Sequence, residues 1–290
     1  MHVHSYFSGQ CTTSIVSAFC RECYSDPDEV YELLTRRGME LFTLTDHDSI
    51  EGSELLRRHP NFFLSEELTC RMPSGTEAHI GVYDFHERQH VQLQQRRNDL
   101  VSLLMYLTER KLFFSVNHVF SSLTGRRERE DFTWFREYFP AIETLNGHML
   151  AKSNAQSARL AKQWNKIALG GSDAHALAST GKTYTEVPGA RDKGEFFAGL
   201  RSGRGLVGGE SGNFAKLTRD VFSIASDMIR ENPWTLLLSP LAALVPAATY
   251  WNYRDERIFS GRWGAEILGE FDGRRRRWAA VPQPAADEWA

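Results

Sequence analysis

His2 and His4 flank a single valine in the sequence His-Val-His. In an extended segment, residues two apart point to the same face, so both imidazoles can reach one metal ion. Asp46-His47-Asp48, Glu66-Glu67, His79, His118 and Asp173-Ala174-His175 follow, each near the end of a short apolar run. That is the pattern of a metal cluster built at one rim of a barrel. Neutral imidazole suits zinc, manganese and iron, while carboxylate suits harder ions, so a mixed set accepts more than one divalent metal. Two ions held about 3.5–4 Å apart can share a hydroxide and clamp the attacking and leaving oxygens of a phosphoester. A lone histidine is more often a surface or core hydrogen-bonder than a ligand. It is the ordered series that argues for a site.

The elements that must position these residues alternate. Strand patterns fall at 2–4, 40–45, 62–64, 79–83, 112–116, 141–145 and 167–170, and helical patterns between them include 27–37, 91–110 and 154–164. Alternation predicts parallel βαβ units, with the metal-type residues just after the strands, on the face where barrel enzymes carry their chemistry. The segments 183–187 and 195–201 read as the closing strand and helix, followed by the glycine-rich stretch 203–209. The catalytic domain is therefore expected over 1–210, with a C-terminal extension over 211–290.

The extension has a different character. Residues 216–230 are amphipathic, and residues 234–251 contain no charged side chain, although Pro240 and Pro246 interrupt them. A membrane span needs about 20 apolar residues, so this run is short for one. Trp234, Tyr250, Trp251 and Tyr253 bracket it as an interfacial belt would. A membrane surface or a second copy of the chain is the expected partner of the run, against the alternative of a helical hairpin packed on the barrel. Arg274, Arg275, Arg276 and Arg277 precede a Pro/Ala-rich tail whose composition predicts disorder.

Taken in order, HVHS at 2–5, LTDHDSIEG at 44–52, SEELT at 65–69, HIGVYDF at 79–85, NH at 117–118, ETLNG at 143–147 and GGSDAH at 170–175 resemble the PHP (polymerase and histidinol phosphatase) superfamily of metal-dependent phosphoesterases. The resemblance covers about the first 210 residues. It implies an α/β fold, a distorted TIM-like (β/α)7 barrel carrying two or three divalent ions such as zinc, manganese or iron, here with a helical, apolar C-terminal extension. Carried over by position, His2, His4, Glu67 and Asp173 are the expected ligands of one metal. Glu67, His79 and His118 are those of a second, with Glu67 bridging. A third site would use His47 and His175, but Gly9 stands where relatives often place an acid, so that site is expected to be weak, empty or completed by Cys11. Hydrolysis would proceed by attack of a metal-bridging hydroxide, with Glu67 and Asp173 essential.

His148 follows Asn146-Gly147 and is a candidate for protonating a leaving group. Asp46 and Asp48 are expected to orient His47, while Glu66, adjoining Glu67, is expected to face solvent or support the site from behind. Arg71, Arg126, Arg127 and Lys182 are the candidates for gripping phosphate, which guanidinium can do with two parallel hydrogen bonds. With 34 basic and 37 acidic residues the net charge is −3, which excludes a broad footprint for a long duplex. A small phosphoester or the end of a short oligonucleotide fits better. Cys11, Cys20, Cys23 and Cys70 include one CxxC pair with no second to complete a zinc site, so ordinary reduced thiols and a cytoplasmic location are expected. A hydrolase of another ester or amide bond, or a non-catalytic metal-binding scaffold or sensor tethered at a membrane, are the competing readings.

Overall fold

The computed structural model describes residues 1–10 and 18–278. Its helices and strands are α1 (Pro27–Arg36), α2 (Glu51–Leu56), β1 (Ser65–Arg71), β2 (Glu77–Tyr83), α3 (Glu87–Arg96), α4 (Leu100–Glu109), β3 (Phe113–Val116), α5 (Arg129–Tyr138), β4 (Ala141–Asn146), α6 (Ala151–Trp164), β5 (Ile167–Gly171), β6 (Thr183–Glu186), α7 (Lys193–Arg201), β7 (Leu206–Gly209), α8 (Phe214–Glu231) and α9 (Val245–Trp278). The mixed α/β class follows from the alternation seen in the sequence. Local chemistry sets several boundaries. Asp26 caps α1 by accepting from the Asp28 amide at 2.9 Å, with Pro27 in the first turn. The single helix expected over 91–110 is two, because Asp99 caps a new start by accepting from the Ser102 amide.

β1 to β5 form one sheet in chain order. Only β3, β4 and β5 run parallel; β1 pairs antiparallel with β2, and β2 with β3. The expectation of parallel units throughout therefore fails at β1 and β2. The reason is the tight turn between them, closed by Met72 N–H to Thr76 O at 2.8 Å with Gly75 at φ +85°. A parallel return would need a crossover of a dozen residues or more.

Two extended segments continue from β1 around to β5. Residues 42–47 bridge to β1 and the residues before it through Phe42 with Phe62 and His47 with Glu67, the Thr45 amide donates to Val3 O at 2.8 Å, and Val3 bridges Ala174 just past β5. Gly171 permits this last approach: a β-carbon there would lie 2.2 Å from that of His2. The segment expected to close the domain does not enter the sheet. β6 pairs with β7 in a separate antiparallel ribbon, tied to β5 by Thr185 Oγ1 and the Gly170 backbone.

The main core lies between the sheet and α3 to α6, with Leu68, Ile80, Leu107, Val116, Phe132 and Ile142 among its buried members. Three side chains of α9 belong to the same core: Trp263, Ile267 and Leu268 are at most 5% exposed. The Phe132 and Trp263 rings pack tilted against each other with centroids 5.6 Å apart. Between α8 and α9 the chain winds as a 3-10 helix over Pro233–Leu244, with Pro240 inside it.

Candidate metal centre

β1 and β2, the residues just after β3 and β5, and the two bridging segments bring the histidine and acidic series together. Glu67 lies at its middle. Its Oε2 is 3.0 Å from His2 Nε2, 3.5 Å from His4 Nε2 and 3.4 Å from His47 Nδ1, while its Oε1 is 3.5 Å from His79 Nδ1 and 3.3 Å from His118 Nε2. The two oxygens of one carboxylate thus face two histidine groups. Asp173 Oδ1 stands 3.3 Å from His2 Nε2 and 3.2 Å from His4 Nε2. Donor atoms lie within 4.8 Å of one another in the sets His2, His4 and Asp173; His2, Glu67 and His118; His47, Glu67 and His79; and His4, His47 and His175.

Outer partners fix these side chains. Glu143 Oε1 lies 2.8 Å from His2 Nδ1, which turns Nε2 of that ring inward toward Glu67 and Asp173. Asn117 donates to Glu67 Oε1 at 2.8 Å. Asn146 donates to Asp173 Oδ2 at 2.9 Å and to Glu143 Oε2 at 2.8 Å. Ser8 Oγ lies 2.9 Å from His4 Nδ1 and donates to Asp46 at 2.8 Å, while Asp46 also accepts from the Ser5 amide and hydroxyl. Asp46 therefore steadies His4 through Ser8 instead of orienting His47. Asp48 accepts from the Thr69 amide and pairs with Arg97. Three residues carrying site chemistry hold left-handed backbone angles, Asp48 at φ 53°, His118 at 27° and Asp173 at 47°. Such angles persist for non-glycine residues only where surrounding contacts hold them.

Charge in the cluster is polarised. Burial pulls the His2 imidazole down, but Asp173, Glu67 and Glu143 outweigh it and hold its pKa well above the ordinary value. Burial works against ionisation of Glu67 and Asp173, yet the surrounding histidines hold both far below the usual carboxylate range. His4, buried and beside His175, drops to about 3. Protons here balance carboxylates that have lost water, which is the service a bound cation performs. The donor set fits divalent metal on its chemistry. His47 Nδ1, His79 Nδ1 and His118 Nδ1 are buried with no hydrogen-bond partner, and buried nitrogens of this kind carry a cost unless something binds them.

Glu22 was not anticipated. Its Oε1 is 3.3 Å from His175 Nε2 and 3.7 Å from His47 Nε2, and His175 holds it at about 2 despite burial. Reciprocally, Glu22 raises His175 to about 9 against burial. Glu22 thus stands beside both histidines, whereas Gly9, a glycine at φ +88°, has no side chain to offer them. Cys11 lies outside the described residues. Glu22 lies thirteen positions beyond Gly9, so spacing offered no signal.

Other candidates are placed as follows. His148 stacks on His175 with centroids 5.5 Å apart and shares a donor set with Asp173 and His175. Burial lowers it to about 4, so it is neutral near pH 7 and offers one N–H. Lys182 Nζ is 3.7 Å from Glu210, which also pairs with Lys216 at 3.1 Å. Arg71 and Arg126 are exposed. Arg127 is not a phosphate gripper: it is 3% exposed, donates to Glu77 O and to Thr124 Oγ1, and lies 5.5 Å from the Phe135 ring centroid. Glu66 faces α3 instead of solvent, buried and accepting from His90 Nδ1 at 2.9 Å and Gln94 Nε2 at 2.8 Å. Cys23 is buried against His4 O, and burial pushes its thiol to about 12, consistent with an inert structural role.

The fold and the cluster define a mixed α/β protein with a buried, metal-type site. Residues 151–204, which include Asp173 and His175, match a family model described as PHP-associated. The resemblance to the PHP superfamily holds in that segment. Among solved structures, PsfC from Pseudomonas syringae is similar with a TM-score of 0.53 and 19% identity, over 79% of this chain and 96% of that one. That is a likeness of fold. A protein from Bifidobacterium adolescentis assigned to the metal-dependent phosphoesterases aligns with a TM-score of 0.42 at 13% identity, over 71% and 95% of the two chains. The lesion-specific endonuclease EndoQ from Pyrococcus furiosus aligns at 0.48 and 13%, over 71% of this chain and 56% of its own. No curated protein matches the chain.

Proposed function

We propose that this chain is a metal-dependent phosphoesterase of the PHP type, hydrolysing a phosphomonoester or phosphodiester. The carrying observation is the division of Glu67, with one oxygen toward His79 and His118 and the other toward His2, His4 and His47. On this reading the bridged circuit of extended segments is the distorted barrel of that superfamily, and residues 1–210 carry the reaction. His2, His4, Glu67 and Asp173 hold one divalent ion, Glu67, His79 and His118 a second, and His47, His175 and Glu22 a third. Zinc, manganese and iron all suit the donors. Bound there, such ions supply acidified water and positive charge opposite the reacting oxygens.

The chain's own groups do the rest. Asn117 and Asn146 keep the Glu67 and Asp173 oxygens turned inward, so that both carboxylates meet their partners without rearrangement. His148, beside Asp173 and His175, offers its N–H to the leaving oxygen. Water adds to phosphorus, the P–O bond to the alcohol breaks, and the proton released by water ends on the departing alcohol. Lys182, Arg71 and Arg126 remain the candidates for charge outside the ligand shell. A non-catalytic scaffold has no use for so many aligned donors, whose burial costs stability unless a ligand repays it. Metal analysis of the purified protein, coupled to a screen of phosphomonoesters and phosphodiesters with added manganese, zinc or iron, tests the reading. Bound divalent metal with metal-dependent release of phosphate or alcohol is expected; a metal-loaded protein that turns over none of the esters overturns it.

A further inference from the structure

Along α8 the fully buried residues are Lys216 and Asp220, while Val221 and Phe222 are about 40% exposed. Both buried residues are charged, and both face the protein. Lys216 Nζ donates to Gly147 O at 2.8 Å, and Asp220 accepts from Ser179 Oγ at 2.7 Å and stands 3.7 Å from His148. Beyond α8, Trp234, Leu236, Leu237, Leu241 and Leu244 are each more than half exposed, Leu237 at 83%. Tyr250 and Trp251 end this apolar ribbon, and it carries no charge from 234 to 251. Just past its end, Arg254 lies 5.3 Å from the Trp251 ring centroid and Arg257 lies 5.9 Å from that of Tyr253.

By length and composition the helical run Pro233–Gly269 contains an 18-residue stretch apolar enough to cross a membrane, with a mean hydropathy of 1.2 over that stretch. Its second half is already engaged. Glu256 accepts from Ser121 and Ser122, and Trp263, Ile267 and Leu268 sit in the core of the sheet domain. A helix fastened in this way lies along a bilayer surface instead of through it. Tryptophan and tyrosine at the ends of an uncharged ribbon, with guanidinium groups stacked on them, match the boundary between acyl chains and anionic phosphates. A flat interface with a second copy gives those cations no phosphate to meet.

The ribbon also starts beside the segment that carries Glu22. Trp234 packs on Phe19 with centroids 5.1 Å apart, Asn232 donates to Phe19 O, and Glu231 pairs with Arg21 at 2.8 Å. Phe19 is three residues from Glu22, the carboxylate against His175. Three extended residues span about 10 Å. A phosphate in the centre therefore stands close to a surface suited to an acyl chain.

Building on the phosphoesterase reading, we infer that the substrate is a membrane-borne phosphoester, its phosphate in the metal centre and its lipid alcohol on the ribbon. Hydrolysis breaks the P–O bond to the lipid alcohol and forms one from phosphorus to the water oxygen; the alcohol leaves with the proton.

The full-length, manganese-loaded protein and its Leu237→Asp/Leu241→Asp variant are compared in two arms. One is sedimentation with phosphatidylcholine vesicles containing phosphatidate or phosphatidylglycerol. The other is turnover of those lipids against short-chain, water-soluble esters of the same headgroups. Both substitutions are at exposed positions, and circular dichroism checks the fold. The native protein is expected to sediment and to hydrolyse one vesicle lipid; the variant loses both by about tenfold or more and keeps its rate on the soluble ester. Equal rates of the two proteins on vesicles, or a dimer that the variant abolishes in place of sedimentation, overturn this inference and leave the phosphoesterase reading intact. Sedimentation without hydrolysis of any ester overturns the phosphoesterase reading, and the substrate assignment with it.

Discussion

Charged groups are buried in both the sheet domain and the C-terminal helices, but their apolar neighbours point in opposite directions. In the sheet domain the apolar residues fill the core and the buried carboxylates meet histidines at one end. In α8 and the 3-10 helix the buried groups are Lys216, Asp220 and Thr235, and large apolar side chains face outward. The first region follows the ordinary rule that apolar surface is hidden and charge is hidden only when paired. The second departs from it, and large exposed apolar patches mark surfaces with a partner. The contrast teaches that α8 and the 3-10 helix turn buried polar groups toward the protein and leave large apolar side chains uncovered.

The comparison breaks most visibly if the regions separate. Ending the chain after Glu210 removes Trp263, Ile267 and Leu268 from the core, and burial of such side chains contributes about 1.5–3 kcal/mol each as an upper bound. A loss on the order of 5 kcal/mol is expected, a large share of a typical domain's stability, measured as a drop in the urea midpoint. A truncated chain as stable as the parent would show that the two regions are independent. Within the sheet domain, Asp173→Asn should lower phosphoester turnover on the order of a thousandfold with folding retained, since Asn tolerates the left-handed angle but loses the charge. Turnover near that of the parent at saturating metal would remove Asp173 from the mechanism.

Glu22→Gln is expected to have a smaller effect. It should weaken retention of one ion by about 10–100-fold while leaving the others in place, read as stepwise metal loss under mild chelation. Uniform loss of all ions would mean that Glu22 steadies the whole cluster.

The smallest effect is at the seam between the regions. Burial raises the Glu256 pKa above its unfolded value, so its contribution to stability is fully present below the unfolded pKa and is lost as pH rises through the folded one. Glu256→Gln should match the parent in acid and exceed its Tm on the order of 2 °C at neutral pH. A lower Tm at neutral pH would show that the charge-assisted bonds from Ser121 and Ser122 outweigh the burial cost.

Most of the candidate ligands were legible in the sequence because they lie in or just after short extended segments, whose alternation is local. His2 and His4 needed only the two-residue repeat, and Asp173 and His175 only their motif. What escaped depends on tertiary approach. Glu22 reaches His175 by folding of a loop, and Glu143 reaches His2 across 141 positions. The fate of Glu66 hinged on which face of β1 met α3, and that of Arg127 on a backbone carbonyl at Glu77. The parallel pairing expected for β1 and β2 failed because the turn between them is short, a feature visible in Gly75 but outweighed by the surrounding alternation. The inverted burial of α8 was hidden because amphipathicity shows that a helix has two faces without saying which one the protein keeps.

Gly171 admits the first extended segment to its place beside β5, so the two ends of the circuit meet there. His2 and Asp173 therefore become neighbours only when nearly the whole sheet domain has been made and ordered. Closing so long a loop comes late in folding, because its entropy is lost before the contacts return anything. A partly synthesised chain cannot assemble this cluster, and a divalent metal bound by the finished chain would act as a latch across the whole circuit, stabilising every strand between its donors at once.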